Sequence, residues 1–230
     1  PESIISSYGS DTARLFMLSD SPPEKNLEWK DEGLEGSYRY INKLYKFFNE
    51  NAALIKAAGD VNYEELQGRD KELYRATHKV IKHVSHDIET FGFNKAVAHM
   101  REFSHLLLEA DLANDVSLCV VKFSAYSFAK LLVPFTPYLA ETIWQSLEGE
   151  GLISVAQWPE YAEEYLVELE VVIAVQINGK LRATFKIDAS SSREEYESKA
   201  LSLPDVAKRI EGASIKRVIV VPKKIINIII

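Results

Sequence analysis

The side chains able to do chemistry are few and scattered. His78, His83 and His86 lie close together, but their spacing does not give the i, i+4 pair with which a helix grips a metal, so they read as solvated helix histidines. Cys119 is the single cysteine. It cannot form an internal disulfide, and no Cys/His cluster has zinc spacing, which points to an intracellular protein without structural metal. No phosphate-cradling glycine-rich turn, histidine-rich nucleotide loop or nucleophile–base pair is recognisable. What remains is charge. The net charge is −7, yet from Val171 onward there are 11 Lys or Arg against 6 Asp or Glu, a tail of +5 behind a remainder of −12. Such asymmetry suits a polyanionic partner for the basic part.

Within that tail the cations can be placed. Asn178-Gly179 separates two β-rich runs, 171–177 and 180–187. Asn-Gly is the strongest short hairpin signal, because a type I′ turn needs positive φ at both central residues. A two-residue turn sets Ile177 opposite Lys180, Val175 opposite Arg182, Ile173 opposite Thr184 and Val171 opposite Lys186. The other face, Val172, Ala174, Leu181, Ala183, Phe185 and Ile187, is then wholly apolar and is expected to cover helices. Lys180, Arg182 and Lys186 would form a stripe roughly 20 Å long at ~3.3 Å per residue. Such a stripe suits backbone phosphates. Lysines on exposed strands also block edge-to-edge association, and spacing alone does not separate the two roles.

The elements that must position these residues follow from periodicity. The 230 residues, 47% hydrophobic and 27% charged, have an ordinary globular balance. No apolar run reaches the ~20 residues a membrane span needs. Short apolar runs surround Tyr8-Gly9-Ser10-Asp11, and Ser21-Pro22-Pro23 breaks any helix. From Asp31 to about Ala58, Leu34, Tyr38, Ile41, Tyr45 and Phe48 mark the inner face of a long helix. A second helix is expected from about Tyr63 to Ile88, and a third, capped by Asn94, to near Leu112. A fourth starts at Asn114-Asp115. A fifth starts at Pro137 with Thr136 as its cap and runs to about Leu147. Beyond Leu169 the period becomes two. The tail reads as two hairpins around a helical stretch capped by Ser191 or Ser192, with Pro204 starting a second short helix. The expected fold is mainly α: an antiparallel helical bundle followed by a small α+β domain of two β-hairpins and helices. The expected boundaries are a joining segment 1–30, a bundle 31–165 and a C-terminal domain 166–230.

Several segments, taken in order, resemble leucyl-tRNA synthetases of the bacterial and organellar type. Tyr8 to Phe16 looks like the segment after the lysine-rich signature loop of class I synthetases. Pro22 to Trp29 with Gly33-Leu34-Glu35-Gly36 is similar to the leucyl branch. Phe93 to Ala98 and Leu132 to Trp144 resemble the class I helical anticodon-binding domain, and Ala156-Gln157-Trp158-Pro159 its exit. Val175 to Arg182 and Val218 to Asn227 look like the small C-terminal domain of bacterial leucyl enzymes. Ser10 stands where that pattern more often has alanine, and Lys223 where it usually has glycine.

The resemblance implies a parent leucine–tRNA ligase that uses ATP, with magnesium, to attach leucine to tRNA(Leu) in protein synthesis, a cytoplasmic monomer without membrane attachment. It places the ATP signatures, zinc site and editing domain before Pro1. The chain itself is then expected to be catalytically inactive, to carry no cofactor or metal, and to partner the catalytic domain and tRNA. Recognition would be of shape and backbone. The candidate RNA contacts are Lys180, Arg182, Lys186, Lys216, Arg217, Lys223 and Lys224, with Arg39, Lys43 and Lys46 on one face of the first long helix, where they could equally be solvated surface. Trp29, Phe135, Trp144 and Trp158 read as packing residues rather than base-stacking platforms. The alternative function is a free-standing, synthetase-derived module that binds protein.

Overall fold

A computed structural model describes residues 2–21, 24–26, 31–166, 170–188, 191–222 and 224–230. Trp29 lies outside the described residues. The chain divides into two compact units, Pro1–Leu166 and Val167–Ile230.

The first unit is helical: α1 (Glu2–Tyr8), α2 (Ser10–Asp20), α3 (Asp31–Ala57), α4 (Gly68–Glu89), α5 (Phe93–Leu108), α6 (Asp115–Leu132) and α7 (Pro137–Ser146), with single 3-10 turns at Tyr63–Glu65, Ile153–Val155 and Glu163–Leu166. The short apolar runs at the start are helices, separated at Gly9, whose φ of 83° suits a residue without a Cβ. The core is drawn mainly from α3 to α7, with Leu15 of α2; Phe48, Ile81, Leu107, Phe128, Leu132 and Phe135 are fully enclosed.

Local chemistry sets the helix ends. Asn114 caps α6, its Oδ1 accepting from the N–H groups of Val116 and Ser117. Asn94 does not cap α5; the helix begins one residue earlier, after Gly92. Thr136 occupies the N-cap position of α7, but its side chain does not cap it. That role falls to Asp11 of α2, whose carboxylate accepts from Leu139 N–H at 2.7 Å and Tyr138 N–H at 3.4 Å. Burial raises the Asp11 pKa, and these two hydrogen bonds partly oppose that rise. The inner face of α3 also differs from expectation. Leu34, Ser37, Leu44, Phe48 and Ile55 are buried, whereas Tyr38 and Tyr45 are exposed. Counting tyrosine as apolar rotated the expected face; the phenol prefers a position that leaves its hydroxyl wet.

The second unit holds β1 (Glu170–Ile177), β2 (Lys180–Asp188), α8 (Arg193–Ser202), α9 (Pro204–Ile210), β3 (Arg217–Val221) and β4 (Ile225–Ile229). The sheet order is β2-β1-β4-β3, with both hairpins antiparallel and β1 parallel to β4 in the middle. Ser192 caps α8 in a reciprocal capping box with Glu195, and Pro204 opens α9 at its first turn. The helices cover one face, where Tyr196, Ala200 and Val206 meet Ile173, Val175, Ile226 and Ile228.

Candidate nucleic-acid interface

The basic strand face does not form as a simple two-residue hairpin predicts. The turn itself is as expected, with Asn178 at φ 48° and Gly179 at φ 79°. Ile177 pairs with Lys180 and Gln176 with Leu181, but Val175 then pairs with Ala183. Arg182 is the extra residue of a β-bulge, and everything beyond it shifts by one: Ala174 faces Thr184, Ile173 faces Phe185 and Val172 faces Lys186. The buried face therefore takes Val171, Ile173, Val175 and Ile177 from β1 with Phe185 and Ile187 from β2. The expected three-cation stripe is broken. Lys180 sits at the hairpin tip beside the turn, Arg182 occupies the bulge, and Lys186 lies on the outer face opposite Val172.

The outer face of the sheet is open. Val172, Leu181, Ile219 and Val221 are exposed there, with Ala174, Gln176, Ile225 and Asn227 half-buried between them. The ladder registers set Val221, Ile225, Ala174 and Thr184 in one row across the four strands and Ile219, Asn227, Gln176 and Leu181 in the next. Cations border this platform. Exposed Lys186 lies on β2 and exposed Arg217 on β3, where it pairs with Ile229. Arg182 is half-buried at the bulge, and its Nε has no hydrogen-bond partner among the described residues. Lys216 and Lys224 are exposed at the two ends of the β3–β4 hairpin; Lys223 lies outside the described residues. The apolar platform was not anticipated. The signal was present, since 217–221 and 225–230 carry apolar residues at both parities and only one face can be covered.

The first hairpin is tied to the last strand at its tip. Asn178 N–H donates to Ile228 O at 2.9 Å, Gly179 N–H to Asn227 Oδ1 at 3.1 Å, and Ile230 N–H to Asn178 Oδ1 at 3.2 Å. These bonds hold the edge of the platform to its centre. Nothing in the local sequence announces them, because they join residues far apart in the chain.

The bundle cations are placed less suggestively. Arg39, Lys43 and Lys46 are all exposed on α3. Arg39 stands 3.8 Å from Glu35 and Lys46 3.9 Å from Glu50, both i, i+4 pairs in water and worth little to stability. Of the tryptophans, Trp144 is core, while Trp158 is partly exposed and its indole N–H donates to Ser85 Oγ at 2.8 Å. Among the described residues no group of three or more His, Cys, Asp or Glu side chains is arranged to hold a metal ion, and no helix is long and apolar enough to cross a membrane.

His83 is half-buried with its ring 4.5 Å from that of His99, and His78 departs furthest from the solvated reading. His78 is only 5% exposed. Its ring packs on Tyr74 at 4.8 Å, Tyr165 at 4.8 Å and Phe123 at 5.2 Å. Its Nδ1 accepts from Ala162 N–H at 3.2 Å, so the proton resides on Nε2, which is buried without a partner among the described residues. Burial pushes its pKa down to about 4, with Glu164 partly opposing. The histidine is a fastening for residues 157–166, helped by Lys82 reaching Glu163 at 3.0 Å.

The chain is thus a helical bundle followed in sequence by a small sheet with a cation-bordered face. Residues 70–197, more than half of the chain, match the anticodon-binding domain of tRNA ligases, and the chain belongs to that family. Over its whole length it is 40% identical to the leucine–tRNA ligase of Paramagnetospirillum magneticum, covering 26% of that protein. It is 44% identical, over 97% of its length, to the leucine–tRNA ligase of Rickettsia felis, again covering 26%. A crystal structure of the ternary complex of Agrobacterium radiobacter K84 agnB2 LeuRS with tRNA and LeuAMS superposes on the whole chain with a TM-score of 0.81 at 28% identity, the chain covering 29% of it. The chain thus spans about a quarter of the length of the curated relatives it matches.

Proposed function

We propose that the chain is the tRNA-gripping part of a leucine–tRNA ligase, a cytoplasmic enzyme that attaches leucine to tRNA(Leu) with ATP and magnesium. Its own residues hold RNA, and the chemistry belongs to the remainder of the enzyme. The supporting observation is the open outer face of the sheet, where Val172, Leu181, Ile219 and Val221 make an apolar platform bordered by Arg182, Lys186 and Arg217. Cations at the border attract phosphates, and an apolar platform suits the flat surface of exposed bases or sugars. Recognition of this kind reads shape and backbone rather than sequence. The bundle supplies the scaffold, and two of its three α3 cations, Arg39 and Lys46, already stand beside Glu35 and Glu50.

The test is salt-dependent tRNA binding. Removing one cation from a phosphate lowers the slope of log K against log salt by about 1, so changing Arg182, Lys186 and Arg217 together to alanine is expected to lower it by ~3 and to weaken binding without altering preference among tRNA sequences. Unchanged affinity and slope in this triple variant would refute the reading.

A further inference from the structure

A cleft of about 550 Å³ opens within the first unit, between the end of α3, helices α4 and α6, and residues 157–160. Its floor is one face of α6. Lys122, Tyr126 and Lys130 recur every fourth residue and so stand in line, ~12 Å from end to end at ~1.5 Å rise per residue. Tyr74, Phe123 and Trp158 add aromatic lining, and the carboxylates of Asp60 and Glu160 line the cleft as well.

The two lysines are not equivalent. The Lys122 ammonium donates to the Ala58 carbonyl at 2.6 Å. Lys130 has no such partner among the described residues; its ammonium lies 5.4 Å from the centre of the Trp144 ring. Burial alone lowers its pKa, and no carboxylate offsets that. A partly desolvated cation that lines a cleft and forms no ion pair among the described residues is an incomplete pair, and an anionic ligand would complete it. The volume suits a small ligand, and the wall favours one with a planar ring. The lining carboxylates can accept from amino groups on such a ring, as acidic side chains do at the amino edge of a base.

We infer that this cleft takes a single nucleotide, its phosphate on Lys130 and its base against the aromatic wall. The nucleotide can be a free one or an unpaired residue of a bound RNA. The site lies wholly in the helical unit and does not rest on the sheet face.

Cys119, the single cysteine, lines the same cleft and reports occupancy. The experiment measures the rate of Cys119 alkylation by iodoacetamide, a neutral reagent, in the whole chain with AMP, GMP, CMP, UMP, adenosine, inorganic phosphate or tRNA. Lys130→Met, which keeps the aliphatic stem on Trp144, and Lys130→Arg, which keeps the charge, are run beside it, with thermal melts to check folding; Lys130→Gln substitutes if the methionine variant is unstable. A nucleotide at twice its Kd is expected to slow alkylation about threefold. Protection by at least one mononucleotide, abolished in Lys130→Met and kept in Lys130→Arg, supports a free ligand. Protection by tRNA alone, abolished in Lys130→Met while that variant still binds tRNA, supports an RNA-borne one. The inference is overturned if neither protects, if inorganic phosphate protects as well as the nucleotides, or if protection survives Lys130→Met. Since tRNA affinity and its salt slope are read separately, failure here leaves the sheet-face reading standing.

Discussion

Acid should weaken the helical unit through one side chain, His78. Its pKa is about 4 in the folded protein, against 6.5 for an ordinary histidine. The unfolded chain therefore takes up a proton below pH 6.5 that the folded one refuses until about pH 4. Stability is complete above the unfolded value and falls as pH drops through this window, levelling off below the folded value. Linkage between these two values gives a loss of about 2 kcal/mol by pH 5 and ~3 kcal/mol by pH 4. Other groups titrate in the same range, so the measurement is a difference. His78→Gln retains an acceptor for the Ala162 N–H and removes the titration. All 3 tryptophans, Trp29, Trp144 and Trp158, precede residue 167, so tryptophan fluorescence in urea follows the first unit alone. Wild type and variant are expected to approach each other steadily between pH 6.5 and 4, by the amounts above. Parallel curves across that window would mean that the imidazole is not held neutral by its aromatic surroundings, and the account of the fastening at 157–166 would fall with it.

Two further outcomes follow from geometry in the bundle. Asp11→Ala removes the carboxylate that caps α7 from another helix and is expected to cost about 1–2 kcal/mol, with Asp11→Asn retaining part of it, read from urea midpoints. At Gly149 a Cβ would stand 2.1 Å from Trp144 Cε2, so Gly149→Ala must displace the indole. The expected cost is about 1–3 kcal/mol, with a shift in Trp144 emission; an unchanged melt and spectrum would show that Trp144 moves freely.

The bundle helices α3 to α7 were legible because each buries a stripe wide enough to set a 3.6-residue period. The sites set by distant partners were not. His78 belongs to α4, whose sequence places it at the edge of the inner face, but Phe123, Ala162 and Tyr165, which enclose it, lie far along the chain. Asp11 looks like an ordinary first-turn acid of α2 and acts instead on α7. In both cases the local pattern permits two environments, and only the packing of remote segments selects one.

The basic face is a different case, because the sequence held a conflict that could have been read. In β1 the large branched residues Val171, Ile173, Val175 and Ile177 share one parity. In β2 the apolar residues Leu181, Ala183, Phe185 and Ile187 also share one parity, which strict pairing across the turn puts on the opposite face. A two-residue turn with strict pairing sets the heavy face of β1 against Lys180, Arg182 and Lys186, so one strand must waste its best apolar face. A bulge after the turn removes the conflict by moving the far part of β2 across by one residue, and the sheet places it at Arg182. The hairpin tip keeps its type I′ geometry, the core gains Phe185 and Ile187, and Lys186 remains on the open side. One unpaired residue thus lets the same strand satisfy the core and keep a cation facing solvent. The cost falls on Arg182, whose Nε has no partner among the described residues, at the edge of the platform where phosphate is proposed to bind.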